Sequence, residues 1–566
     1  MGYMYLRESR QKRVDGSVLT HLQLAENLWD PQKQRAQVKI LYNCGRADDA
    51  ASTERLKRLA RSILRRCAPE EILAQDPSWQ LVNAWPYGEL YVLEQLWRRL
   101  GINEVIHELC GARKFDFDVE RALFAMVANR ACAPSSKLYC YEQWLREEVH
   151  LDGTAQLELQ HLYRAMDFLE AHKEALEKAI YFRMADLLNL DVEIIFYDTT
   201  SLHFEVDEED RGVGELEEVH GSVDAGGKTY RALRKRGHSK NGRFDAPQIV
   251  VGLAVTRDGF PVRHWIFPGN TVDVTTIAQV KRDLQGWQLT RCVFVGDAGM
   301  VSKENLHTLG LGGGKYILCM PIIRGSEVAK AVVTRPGRYR KVAENLQVKE
   351  VVVGEGERRR RYVVCYNPQE AERQRQHREQ VLKELSAELQ TLRTEHGASH
   401  SKRVCELRAS GRYGRYLRLT RGDAPRINQA QVDAAERLDG KFVVHSNDDT
   451  LNAADLALGY KQLARVEVAW RSLKSGLKLR PVFHWAPHRI HAHVALTVLS
   501  LLLERVAEQA CGDTWRNIKD DLRRIKLAQL LSPNGTVWQV TEPTPDALKR
   551  LKSLQIHKPP PILQLA

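Results

Sequence analysis

Residues 194–204 read "IIFYDTTSLHF". Ile194, Ile195, Phe196 and Tyr197 form an unbroken apolar run, the pattern of a strand covered on both faces. The run then meets Asp198. A carboxylate at the rim of a core is costly unless something neutralises it. A second stretch repeats the pattern: "LTRCVFVGDAGM" (289–300) is an apolar strand that stops at Asp297. Two neighbouring strands ending in acids would set two carboxylates side by side. Each would raise the other's pKa unless a cation sat between them. Oxygen ligands on a rigid frame suit Mg²⁺. A pair of such ions can activate a nucleophile and stabilise the leaving oxygen in phosphoryl transfer.

Such a site calls for a third acid, carried on the helix that covers the strand ends. "YKQLARVEVAWRSLK" (460–474) is helical in pattern, and Glu467 is the lone acid in it. Lys461, Arg465, Arg471 and Lys474 surround Glu467 with an anion-attracting face. Seven residues is about two helical turns, so Tyr460, Glu467 and Lys474 are expected to point the same way.

The segments between these acids indicate an α/β fold. "PQIVVGLAVTRDGFPVRHWIFPGN" (247–270) reads as two strands joined at Asp258-Gly259. Helical patterns at 273–287 and 302–310, the latter capped by Ser302, alternate with strands at 289–297 and 315–321. The order strand, hairpin, helix, strand, helix, strand suits a mixed sheet flanked by helices. Residues 326–445 interrupt it with a second hairpin, "VKEVVVGEGERRRRYVVCYN" (348–367), and a long polar helix. Asn367, Pro368 and Glu370 mark that helix's start. The expected organisation is a basic region over 1–75, a helical domain over 76–190, and core segments over 191–325 and 446–510. The core segments flank an inserted subdomain over 326–445, and a basic tail over 511–566 ends in an unstructured "HKPPPILQLA". The fold class is therefore a mixed sheet flanked by helices, interrupted by a hairpin and helical subdomain, behind a mainly helical N-terminal DNA-binding region.

Bulk composition points to a polyanionic partner. The 566 residues hold 84 Lys+Arg against 72 Asp+Glu, a net charge of +12. In the N-terminal region "QVKILYNCG" (37–45) reads as a strand ending at Gly45, and Arg55, Lys57, Arg58, Arg61, Arg65 and Arg66 then crowd a helix whose other side carries Leu56, Leu59 and Ile63. That helix reads equally as a phosphate-binding face and as a solvated one. The ten cysteines are scattered, with no Cys-x-x-Cys pair, as in a reducing cytoplasm. The apolar run "VALTVLSLLL" (494–503) is shorter than a bilayer span and is expected as a core helix, with no membrane partner.

"YDTTSLHFE", "GHSKNGRFDAPQIVVGLAVTRDGFPVRHWIFPGNTVD", "FVGDAGMVSKENL", "YKQLARVEVAWRSLKSGLKLRPVFHWAPHRIHAHV" and the earlier "NRACAPSSKL" occur in this order. Together they resemble the DDE transposases of bacterial insertion sequences, over residues 120–505. The resemblance implies an RNase H-like catalytic core with an insertion between the second Asp and the Glu. It implies that Asp198, Asp297 and Glu467 hold two Mg²⁺ ions, with Mn²⁺ able to substitute. The family signature is Tyr, two residues, Arg, three residues, Glu, six residues, Lys. Tyr460, Glu467 and Lys474 fall in register, while Leu463 stands at the Arg position and leaves that charge to Lys461 or Arg465. By the same resemblance Tyr460 and Lys474 grip a phosphate of the transposon end. The enzyme would cleave DNA at the element's ends and join the 3′-OH to target DNA, as a homodimer in the synaptic complex.

Other readings compete. Asp198-Thr199-Thr200 is similar to an aspartyl-phosphate hydrolase motif, but that chemistry needs an acid where Thr200 stands. A DNA-binding relic that no longer cuts is the other alternative. "GLGGGKY" (310–316) lacks the Ser or Thr of a P-loop and reads as a turn. His484, His488, His491 and His493 suggest zinc less than helix-start packing or DNA contacts, and Trp470 suggests core packing over base stacking. Arg358–Arg361 reads either as a solvated hairpin tip or as a DNA contact.

Overall fold

The computed structural model describes the chain except residues 1–3, 14–17, 32–33, 65, 67–79, 112, 188–193, 211–231, 241, 288, 290–291, 323–325, 327, 357–358, 421–423, 533–534 and 566. Arg65 and Arg358 of the basic runs fall outside the described residues. Two compact units emerge. The first comprises Met1–Ala84, Leu527–Thr541 and Pro560–Ala566, and the second Trp85–Lys526 and Glu542–Pro559.

The first unit opens with three antiparallel strands, β1 (Met4–Lys12), β2 (Val18–Asp30) and β3 (Arg35–Arg46). The strand expected over 37–45 is β3, but β1 and β2 correct the expectation of a mainly helical N-terminal region. The cause is a period of two: in β2, Leu22, Leu24 and Leu28 alternate with His21, Gln23 and Asn27. The helix Ala50–Leu64 follows, with the Asp49 carboxylate accepting from the Ser52 amide at 3.1 Å. Its Leu59 and Ile63 are exposed. The strand β4 (Gln80–Pro86) completes the N-terminal segment.

The second unit is built on a nine-stranded sheet. Its centre holds β5 (Ile194–His203), β6 (Gln248–Thr256), β7 (Pro261–Pro268), β8 (Val293–Gly296) and β9 (Lys315–Met320), in the order β7-β6-β5-β8-β9. Strands β5, β6 and β7 pair antiparallel, whereas β8 runs parallel to both β5 and β9. Gly259 turns the β6–β7 hairpin at φ 86°, a conformation that favours glycine. The segment 326–445 adds β10 (Arg340–Ala343), β11 (Leu346–Val353), β12 (Arg360–Tyr366) and, after the short hairpin β13 (Leu417–Leu419)–β14 (Pro425–Ile427), β15 (Lys441–Ser446). Strands β10, β11, β12 and β15 continue the same sheet, because β15 pairs antiparallel with β9. The helix Pro368–Leu392 starts as its sequence indicates, with the Asn367 side chain accepting from the Gln369 and Glu370 amides. Its Val381 and Leu385 join Tyr416 and Val432 in a small core apart from the main one.

One face of the sheet is covered by helices Ala453–Lys461, Ala464–Arg471 and Pro487–Cys511, whose Leu456, Val466, Trp470 and Ile490 pack with Phe196, Val295 and Ile317. The helix Pro487–Cys511 also packs on Leu159–Leu187 and Val119–Cys132 of the N-terminal helical layer. At 25 residues it is long enough to span a bilayer, contrary to the estimate from its apolar run, but 89% of its most apolar window is buried. It is the central core helix of this unit.

The C-terminal tail is folded, not unstructured. Helices Trp515–Leu522 and Pro545–Ser553 alternate with β16 (Lys526–Ser532), β17 (Gly535–Val540) and β18 (Ile562–Leu565), which make a sheet in the order β18-β17-β16-β4. The prolines at 559–561 stop a helix but leave the apolar residues after them able to pair as an edge strand.

Glu504 tests the packing of the core helix. Burial, reinforced by Glu508, pushes its carboxyl up to about 8. A raised folded pKa favours the folded state fully below the unfolded pKa, and this contribution is lost as pH rises through about 8. Glu504→Gln should therefore flatten the fall in stability between pH 5 and pH 9 and raise the unfolding free energy at the alkaline end by a few kcal/mol, on the order expected for a buried carboxylate. Urea unfolding midpoints across that range check it.

Candidate active site at the strand ends

The site follows from strand register. Phe196 of β5 lies opposite Val295 of β8 in a parallel ladder. Asp198 and Asp297 each stand two residues further on, so they share one level and one face. Burial pushes the Asp198 carboxyl up to about 6, opposed by Lys240 and the Thr199 amide and reinforced by Asp297 and Asp273. Asp297 accepts from the Ala298 amide at 2.6 Å and from the Tyr460 hydroxyl at 3.4 Å.

Two residues that the sequence reading passed over complete the cluster. Asp273 opens the helix Asp273–Gln285 and accepts from Thr199 Oγ1 at 2.5 Å and from Lys240 Nζ at 2.8 Å. Lys240 also donates to the Thr199 carbonyl at 2.8 Å and stands 3.9 Å from Asp198. Its ammonium thus already occupies the space between two acids. Both residues lie within "GHSKNGRFDAPQIVVGLAVTRDGFPVRHWIFPGNTVD", but neither follows an unbroken apolar run as Asp198 and Asp297 do.

The helix over the site departs from expectation. It is not one α-helix from 460 to 474. Ala453–Lys461 ends, amides 463, 465 and 466 bond three residues back, Ala464–Arg471 resumes, and a π-helical turn Ser472–Gly476 follows. The two-turn argument for Tyr460, Glu467 and Lys474 therefore does not carry across this segment. Tyr460 reaches the site directly through Asp297. Lys474 is half-buried; burial lowers its ammonium, and Asp198 is the neighbour that raises it.

Glu467 lies on the exposed side of Ala464–Arg471, while Val466, Ala469 and Trp470 of that helix are buried over β5 and β6. Among the described residues its carboxylate makes no hydrogen bond or ion pair. Lys461, Arg465 and Arg471 are exposed around it. Leu463, at the signature's Arg position, packs in the sheet core and supplies no charge.

The side readings resolve as follows. Trp470 is a core residue. His484 and His493 are buried with ring centroids 5.5 Å apart, whereas His488 faces Asp167 at 3.2 Å and His491 faces Glu170 at 3.6 Å, so the four histidines pack separately at the helix start. Arg361 is buried and bonded to Glu350 and to the carbonyls of Asp448 and Leu451, and Arg359 pairs with Asp449. Among the described residues, His107, Asp118 and Glu120 bring three ligand-type atoms within 4.8 Å of one another. That trio is structural: Asp118 caps the helix Val119–Cys132, and Glu120 accepts from Trp97 and Arg121.

A family model described as the transposase DDE domain matches residues 218–503, and the chain belongs to that family. Its members generally use divalent metal ions. No curated protein matches. Among solved structures, the chain is similar to a piggyBac transposase in a cryo-EM synaptic complex with hairpin DNA, at 8% identity, covering 77% of this chain and 79% of that one with a TM-score of 0.32.

Lys240 is the cation that touches both Asp198 and Asp273. Lys240→Met should lower stability in EDTA by about 1–2 kcal/mol, because the pair is partly solvated and the acids lose their counter-charge. Denaturant unfolding in EDTA, compared with the same experiment in Mg²⁺, measures it, and Mg²⁺ should recover most of the loss.

Proposed function

We propose that this chain is an active insertion-sequence transposase that cuts DNA at its element's ends and joins the 3′-OH to target DNA. The observation that supports the reading best is the shared level of Asp198 and Asp297 on parallel neighbours β5 and β8. The strand order β7-β6-β5-β8-β9, with β5, β6 and β7 antiparallel and β8 and β9 parallel to β5, supports reading the sheet as an RNase H-like core. On this reading residues 191–325 and 446–510 form the catalytic core, 326–445 the insertion, and 1–75 and the basic tail the DNA-recognition parts.

Asp198, Asp297 and Glu467 would hold two Mg²⁺ ions, with Mn²⁺ substituting. The chemistry of the donor set fits: carboxylates gather beside β5 and β8, burial reinforced by Asp297 and Asp273 raises Asp198, and an ammonium already sits against Asp198 and Asp273. When bound, the metal would lower the pKa of an attacking water or strand hydroxyl and stabilise the leaving oxygen. Asp273 and Thr199 hold Lys240 in place, and Lys240 and Asp297 frame Asp198. Tyr460, anchored on Asp297, and Lys474 bind the phosphate that carries the scissile bond. Lys461, Arg465 and Arg471 present a basic face to the duplex beyond it. Glu467, which makes no hydrogen bond or ion pair among the described residues, would complete the acidic set from the exposed side of the covering helix. Two ends must be joined, so the working form is a homodimer on DNA, in the bacterial cytoplasm. A relic that binds without cutting is the second reading, favoured by Leu463 at the signature's Arg position.

Incubation with Mg²⁺ and a supercoiled plasmid carrying the element's ends separates the two. Wild type should nick and release the ends, and Asp198→Ala, Asp297→Ala and Glu467→Ala should each fall below about one-hundredth of that rate while still shifting the DNA in a gel. Strand cleavage unchanged in Asp198→Ala would sink the metal assignment. Intact wild-type binding without any cleavage would instead favour the relic.

Lys474→Ala should weaken binding to all duplexes by a similar factor and lower the slope of log affinity against log salt by about one, as loss of one phosphate contact requires. Anisotropy titrations at several salt concentrations measure it.

A further inference from the structure

Lys137 and Arg130 are the strangest charges in the second unit. Both side chains are only 3% exposed. Lys137 Nζ is buried with no hydrogen-bond partner, and Arg130 Nε is likewise orphaned. Arg130 otherwise donates to the carbonyls of Ser135 and Lys478 at 3.1 Å and of Leu477 at 3.4 Å. Among the described residues neither cation makes an ion pair. Asp167, the acid that acts on the neighbouring His484, is already engaged by His488 and Arg489. His484 cannot compensate, because burial lowers its imidazolium to about 3 and leaves the ring neutral. Burial and Arg130 together lower the Lys137 ammonium to about 7. A buried ammonium beside a buried guanidinium, with no anion, is strongly unfavourable.

These donors line a cavity of about 570 Å³ together with Ser136, Tyr163, Phe483 and His484. Phe483 is 56% exposed at its rim. The segment Pro481–His484 is also the wall of a second cavity, lined by His203, Arg234, Lys474, Arg480 and the exposed Trp485. His203 is the last residue of β5, the strand that carries Asp198, and it lies 3.0 Å from Arg480. A basic track with exposed aromatic rings therefore leads from the acidic centre through Lys474 and Arg480 to Lys137. Cations that follow a backbone, interleaved with rings on which bases stack, are the chemistry of a single nucleic-acid strand.

We propose that Lys137 and Arg130 form a phosphate-binding pocket that grips the backbone of a DNA strand leaving the acidic centre past Phe483. The assignment rests on the transposase reading but concerns a different part of the molecule. A phosphate oxygen fills the donor capacity that the fold leaves open, and its charge offsets two cations that have no internal counter-ion.

The test uses the full chain and Lys137→Met, which keeps the side chain's length and removes the orphan charge. In buffer without phosphate the variant should melt no lower than wild type. Inorganic phosphate, against chloride at matched ionic strength, should raise the melting temperature of wild type and leave the variant unmoved. A fluorescent single-stranded oligonucleotide of mixed sequence should bind the variant roughly tenfold more weakly, with a smaller salt slope. Unchanged oligonucleotide affinity and slope overturn the proposal, as does a wild type that phosphate does not stabilise. A phosphate effect without an oligonucleotide effect overturns the strand assignment in favour of free phosphate. A wild type that binds no DNA at all, duplex or single-stranded, defeats the transposase reading instead. Tight duplex binding with Lys137→Met indistinguishable from wild type defeats only this one.

Discussion

The parallel pairing of β5 with β8 is the constraint on which the rest depends. With Phe196 opposite Val295, a slip of one residue would turn one acid to the other face of the sheet. The register is held by burial on both sides. Phe196 and Val295 face the helices Ala453–Lys461 and Ala464–Arg471, and on the opposite face Tyr197 is locked by Thr276 at 3.0 Å and packed against Trp265 and Phe294. Apolar packing on a rigid ladder thus fixes two carboxylates that would otherwise separate. The flanking helices do more than cover the core, since their packing determines which acids meet.

Lys240 shows how the fold tolerates that arrangement. The segment before β6 sends one ammonium against Asp198 and Asp273, anchored by the Thr199 carbonyl and hydroxyl. A lysine is a compact charge on a flexible stem and can withdraw. The short carboxylates of Asp198 and Asp297, held by the Thr199 and Ala298 amides, cannot. The acids therefore stay fixed while their counter-charge is exchangeable, which is the arrangement a site for mobile cations requires.

Much of this was legible in the chain itself, for identifiable reasons. Both acids follow an apolar run, where an acid has few purposes, but only Asp297 follows the end of its strand: β5 continues past Asp198 to His203, because Thr199–Leu202 are buried and go on pairing with β6. The caps at Asn367 and Ser302 and the turn at Gly259 are local chemistry, so they read directly. Asp273 and Lys240 were missed because their importance lies in a contact between residues 33 positions apart in sequence and in the third dimension; neither sits in a distinctive local pattern. The break at 462–463 was missed because every residue there favours helix, and tertiary packing of Leu463 into the sheet overrides it. "QVKILYNCG" read directly as the strand that became β3, whereas β1 and β2 were missed because charged and polar residues such as Arg7, Glu8, Gln23 and Glu26 interrupt their apolar positions and blur the alternation. The tail was misjudged because three consecutive prolines look like a terminus of structure, whereas the residues beyond them only need a free sheet edge.

The buried charges of the second unit differ in a way that separates architecture from function. Arg361, Arg263 and Arg121 are buried too, and each finds a carboxylate within 3.0 Å. Those pairs are closed and explain themselves. Glu177 likewise meets Lys173 and His264. Lys137 is buried as deeply, yet its ammonium has no partner among the described residues, and the cavity its side chain lines shares Pro481, Phe483 and His484 with the one beside Lys474, the lysine on which Asp198 acts. A chain that can pair its buried ions in so many places, and leaves unpaired a cation at one end of a groove and crowded acids at the other, is complementary to a ligand. That ligand must be anionic along its length and must meet the acids only where a cation intervenes, and a polyphosphate strand meets both conditions.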